Sequence, residues 1–164
     1  MNKLNVFLVL ILLSLASCRE ARKTFQNEPQ QEIKTENFFT KEGTLSLLND
    51  NKEIKNLDIE LALSDFEHQQ GLMERYAMEE NQGMLFIFDQ LEKKSFWMKN
   101  TRIPLDIIYV GADSVVVNIA KNAPPMQEQG IPTSKAPVKF VLEVNGGMSD
   151  KWGVIEGKTK LRWK

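Results

Sequence analysis

The chain holds one cysteine and one histidine among its 164 residues. A lone thiol excludes an internal disulfide and any CxxC-type zinc site, and a lone imidazole leaves metal binding to carboxylates, which the sequence does not cluster. Neither a metal nor a cofactor is expected. An excess of one charge is also missing, since 21 Lys and Arg face 22 Asp and Glu. The only dense basic run, Lys158 to Lys164, is short, and it alternates with Leu161 and Trp163, as the solvated face of a strand would. Nucleic acid is therefore not an expected partner. No apolar run is long enough to cross a hydrocarbon layer of roughly 30 Å as a helix. GxSxG, P-loop and dinucleotide fingerprints are absent as well, which argues against an enzyme of those classes.

The apolar run that is present, Val6 to Leu13, follows Lys3 and has the length of a signal-peptide core. It ends in Leu15-Ala16-Ser17-Cys18, which resembles the lipobox of bacterial lipoproteins. In those proteins the cysteine takes a diacylglyceryl group and becomes the first residue after cleavage. The expectation is a signal peptide over 1–17 and a lipid on Cys18, with several acyl chains anchoring the chain to a membrane at about 0.8 kcal/mol per buried CH₂. Residues 18–37 are polar, with Gln26, Asn27, Glu28, Pro29, Gln30, Gln31 and Glu32 in succession, and read as a flexible tether. About twenty such residues reach roughly 25 Å. The expected location is the cell envelope, lipid-anchored to a bacterial membrane, with an extracytoplasmic domain over 38–164.

From Thr44 onward the apolar residues recur with period two. Leu57, Ile59, Leu61 and Leu63 share one strand face, and Asp58 and Glu60 share the other. Met84 to Phe88, Leu105 to Val110, Ser114 to Ala120, Phe140 to Val144 and Thr159 to Trp163 also read as strands. Several are apolar on both faces, which predicts central positions. Ser64-Asp65-Phe66-Glu67 has the form of a capping box and predicts one short helix near residues 65–73, weakened by Gly71. The prolines at 124, 125 and 132 mark an irregular loop that either lines a site or connects strands. The predicted class is mainly β (α+β), a compact barrel-like antiparallel or mixed sheet.

Three segments in order, Gly71-Leu72-Met73-Glu74-Arg75, Gly83-Met84-Leu85-Phe86-Ile87-Phe88, and Phe96 to Ile107, closely resemble the domain of unknown function 192 family. The likeness continues through Val141 to Gly147 and Gly153 to Gly157, covering about Asn56 to Leu161. It implies a compact, mainly β, barrel-like domain with little helix and no established activity. The chain departs from the family pattern at two points. His68 stands where the family often carries an arginine, and an imidazole grips an anion only when protonated. Lys158 follows Gly157 where an aspartate is common.

Within 96–102, Trp97, Lys99, Asn100 and Arg102 combine a flat ring, two cations and an amide, the mixture with which pockets stack and orient polar ligands. Arg75 is a further cation for such a site. The alternative is that Phe96 and Met98 fill a core and the rest is a polar turn before Pro104. Asp106 and Glu143 each sit in otherwise apolar strands, where a buried carboxylate needs a cation or several donors. Lys99, Arg102 and Arg75 are the candidate cations. Two such carboxylates could form an acid/base pair of the glycosidase kind, or be structural ion pairs. Three functions follow: a tethered ligand-binding or accessory module for an envelope saccharide, peptide or protein; a hydrolase of envelope polymers using Asp106 and Glu143; or a structural assembly partner.

Overall fold

Period-two alternation carries most of the chain into strands. In the computed structural model, which describes residues 38–164, these are β1 Gly43–Asn49, β2 Lys52–Ala62, β3 Gln82–Glu92, β4 Leu105–Val110, β5 Val116–Ala123, β6 Val138–Asn145 and β7 Lys160–Trp163. Two short helices accompany them, α1 Asp65–Gln70 and α2 Met148–Trp152. The apolar run, Cys18 and the tether read from the sequence lie outside the described residues. No helix among the described residues is long and apolar enough to cross a membrane.

The strands form one sheet in the order β5-β4-β6-β3-β2-β1-β7. Its pairings are antiparallel except β2 with β3, between which α1 and the following turn return the chain to the same end of the sheet. The β1–β2 hairpin turns at Asp50 and Asn51, both with positive φ (50° and 63°), as a two-residue type I′ turn requires and as these residue types tolerate. The sheet curls into a half-barrel whose outermost strands approach each other. Val115 bridges Lys160, Val116 N–H donates to Thr159 O at 2.9 Å, and Leu161 N–H donates to Ser114 O at 2.9 Å.

Curling encloses one apolar face and leaves the other to be covered by loops. The inner face draws on all seven strands, including Leu47, Ile59, Leu85, Ile108, Leu142, Val116 and Leu161. The outer face, with Phe86, Ile107, Tyr109 and Val141, packs against Leu72, Met98, Ile103 and Ile131 from the connecting segments. This double cover explains why all six residues of β4 are buried and why its sequence, Asp106 apart, is apolar without alternation.

α1 begins as its sequence dictates. Ser64 Oγ accepts from Glu67 N–H, and Glu67 Oε2 accepts from Ser64 N–H at 2.8 Å and from Leu63 N–H at 2.9 Å. Those backbone donors hold the Glu67 carboxyl below its ordinary range. The helix stops at Gln70 rather than Met73, because Gly71 takes φ 45° and its N–H closes onto Glu67 O at 2.8 Å. α2, bounded by Gly147 and Gly153 in left-handed conformations, is a second helix beyond the one expected.

Candidate functional site

Where α1 and the turn at Gly71 cross the outer face of β3 and β6, they leave a cleft of about 500 Å³. Phe86 and Phe88 project from β3 two residues apart, with their rings 14° from parallel and centroids 6.5 Å apart. Phe96, from the segment after β3, stands edge-on to both, 5.1 Å from Phe86 and 6.5 Å from Phe88. Trp97 forms the rim and is 42% exposed. The aromatic corner is thus built by strand periodicity on one side and by the returning loop on the other.

The floor of this cleft is Glu143. Its cross-strand partners are Met84 on β3 and Ile107 on β4, so it leaves β6 on the outer face, among apolar neighbours. The residue is only 4% exposed, and its carboxyl has no hydrogen bond or ion pair among the described residues. Burial without compensation pushes its carboxyl up to about 8, so near neutral pH it is chiefly the protonated acid, a hydrogen-bond donor aimed into the cleft. Gly71 makes room above it. A Cβ at Gly71 would sit 3.2 Å from the Phe86 ring and 3.8 Å from Glu143 Oε2.

His68, on α1, fastens the cleft rather than gripping an anion. Its Nε2 lies 2.9 Å from Ala62 O and 3.1 Å from Ile87 O. Both partners are acceptors, so this nitrogen carries the hydrogen. The imidazole also packs 4.5 Å from the Phe88 ring. Across the cleft, Lys94 Nζ rests 4.1 Å over Phe88 and pairs with Glu92 at 2.6 Å. Lys94 also exchanges two backbone-directed bonds with buried Ser134, tying this wall to the 124–137 loop.

The other residues expected at a site are dispersed. Trp97 borders a second recess of about 340 Å³ with Lys99, Asn100, Phe66 and Met73, and Lys99 Nζ lies 5.4 Å over the Trp97 ring. Trp97, Lys99 and Asn100 are therefore brought together. Arg75 is not with them. It is buried in an ion pair with Glu60 at 2.6 Å, and Glu60 also accepts from Thr40 N–H at 2.9 Å. Arg102 instead pairs with Glu74 and stacks over Tyr76 at 4.9 Å.

Nor do the two carboxylates meet. Asp106 lies opposite Val144, on the inner face. It accepts from Asn122 N–H (2.8 Å), Gly147 N–H (3.0 Å), Ser149 N–H (2.8 Å) and Ser149 Oγ–H (2.6 Å). Several neutral donors, rather than Lys99, Arg102 or Arg75, satisfy its charge. The glycosidase-like acid/base pair is not formed, because both of Asp106's oxygens are engaged and Glu143 faces the other way. The aromatic corner of Phe86, Phe88 and Phe96 escaped the sequence reading because those residues also have the signature of core. Among the described residues no group of three or more His, Cys, Asp or Glu could hold a metal ion.

Residues 46–162 match a family described as Uncharacterized ACR, the domain of unknown function 192. Among solved structures, a protein of unknown function from Novosphingobium aromaticivorans DSM 12444 is 36% identical, with a TM-score of 0.69, over 73% of this chain and 84% of that one. A protein from Sinorhizobium meliloti 1021, named as a candidate transcription regulator, is 33% identical with a TM-score of 0.70 over 77% of this chain and 97% of its own. No curated protein matches the chain.

Proposed function

The chain belongs to the domain of unknown function 192 family, and from that footing we propose that it is a small ligand-binding module held at a bacterial membrane surface by a lipid on Cys18. The anchor rests on the order of Lys3, the apolar run Val6 to Leu13 and Leu15-Ala16-Ser17-Cys18. The domain then works on the extracytoplasmic side, within reach of envelope saccharides, peptides and proteins. The binding role rests on one observation above the others, an unpartnered, buried carboxyl at the floor of an aromatic-walled cleft. Burying such a group without a partner costs stability, and a ligand that supplies the partner recovers it. Hydrolysis by paired carboxylates has no such support, since Asp106 is consumed in holding the fold.

A thermal-shift screen of the full chain against muropeptides, oligosaccharides and short peptides tests this reading. A ligand present at a hundredfold excess over its Kd stabilises the native state by about 2.7 kcal/mol. The expected result is a rise with at least one class that is lost in both Glu143→Gln and Trp97→Ala. A flat response across the panel, or a rise indifferent to both substitutions, contradicts it.

A further inference from the structure

The cleft's own groups restrict what can pair with Glu143. From α1, His68 has its Nε2 committed to two carbonyls. From β4, the Tyr109 hydroxyl donates to Pro132 O at 2.9 Å, and burial holds it well above the ordinary phenol range. From β3, the apolar Met84, Phe86 and Phe88 face this side, and beyond Met84 the β2 carboxylate of Glu60 is already paired with Arg75 at 2.6 Å. From the loops come Lys94, whose charge is met by Glu92, and the exposed carboxylate of Glu128. None of these supplies a cation to Glu143, and the uncompensated charge at the cleft is negative. An anionic ligand would therefore face Glu128 from the rim and have to be desolvated beside a buried carboxyl.

The walls favour the opposite charge. Aromatic faces attract cations through their quadrupole, most strongly where water is excluded. The Lys94 ammonium, 4.1 Å over Phe88, shows that this wall accommodates such a group. We infer that the cleft receives a primary ammonium carried on an apolar stem, as in an alkylamine or the end of a lysine-like side chain. The ammonium pairs with the Glu143 carboxylate while the stem lies in the Phe86–Phe88–Phe96 corner. The inference rests on the binding role given above and names the chemistry of that site's ligand.

Proton balance follows directly. In the empty cleft Glu143 holds a proton, and on binding the proton passes to solvent while the ammonium takes its place beside the carboxylate. With the carboxyl at about 8, the binding-competent ionised fraction rises about fifty-fold between pH 6 and pH 8, and affinity rises with it.

The test is an NMR titration of the ¹⁵N-labelled full chain with n-butylamine, and with n-butanol as its neutral counterpart, at pH 6 and pH 8. Butylamine should shift the amides around Gly71, Phe86 and Glu143, bind tens of times more tightly at pH 8 than at pH 6, and lose that gain in Glu143→Gln. Butylamine binding that is equal at the two pH values, or no tighter than butanol, overturns the ammonium assignment while leaving a cleft that binds neutral molecules. Failure of both probes to shift cleft amides overturns the ammonium assignment, and the binding role then stands or falls with the screen of muropeptides, oligosaccharides and short peptides. Should Glu143→Gln fail to fold, the wild-type comparison between the two pH values decides the matter alone.

Discussion

Asp106 and Glu143 stand on adjacent strands and leave the sheet through opposite faces, since Glu143 lies across from Ile107 and Asp106 lies across from Val144. The two acids have opposite fates for a physical reason. Asp106 points where the turn at Gly147 and the start of α2 converge their amides, so it holds structure. Glu143 points where the chain provides nothing.

Asp106→Asn should therefore cost stability and spare the cleft. The amide would turn at least one of its own donors toward N–H groups that now find an acceptor, at a cost of about 2–4 kcal/mol. Urea unfolding measures the loss. Wild-type stability in this variant would show that the four hydrogen bonds do not hold β4, β5 and α2 together.

Glu143 sets a pH dependence of opposite sign to that of an ion-paired carboxylate. Its folded-state value, about 8, lies above the ordinary carboxyl value of 4.5. Between these limits the native state holds a proton that the unfolded chain has released, so this group's contribution is fully present below about pH 4.5 and is lost as pH rises through 8. Relative to wild type, Glu143→Gln should gain stability from pH 5 to pH 8, by something on the order of 3 kcal/mol. Denaturant midpoints at the two pH values check it, and a constant difference would contradict it.

Gly71→Ala should be harmful twice over. Its φ of 45° disfavours a side chain, and the new methyl would lie 3.2 Å from Phe86, for a combined cost of about 1–3 kcal/mol. The same methyl would stand above Glu143 and narrow the cleft, so ligand responses should weaken even where the variant stays folded. Thermal unfolding and the ligand screen together separate the two effects.

Cys18→Ala should move the chain from the membrane fraction to the soluble one without lowering the unfolding temperature of the domain. Fractionation with a melting curve tests both halves. Membrane retention after the substitution would point to some other attachment than a lipid.

The strands were legible because half-buried and fully buried strands write different patterns. Leu57 to Ala62 alternates and lies in β2 with Leu57 and Ile59 buried, although Glu60 on the other face is buried as well and Leu63, past the end of the strand, is exposed. Leu105 to Val110 does not alternate, and it is β4, covered on both faces. Ser64 and Glu67 announced α1 through a local exchange of hydrogen bonds, whereas α2, five residues between two glycines, carries no side-chain cap. The site was less legible. Phe86, Phe88 and Phe96 look like core because they are core on one side, and only the path of α1 and the Gly71 turn leaves their other side open. Arg75 has the composition of a ligand-binding residue, yet Glu60 on β2 claims it. That Glu143 lacks a partner depends on cross-strand register and on which loops cover the sheet, and neither is written in the residues around it.

The most direct test of the account follows the side-chain carboxyl carbon of Glu143 by NMR in the unliganded full chain from pH 4 to pH 10. A midpoint near 8 is the predicted result, the signature of an acid buried in the cleft with nothing to pair with. A midpoint in the ordinary range of about 4–5 would contradict it, because the carboxyl would then already have the solvent or the partner that a ligand is expected to supply.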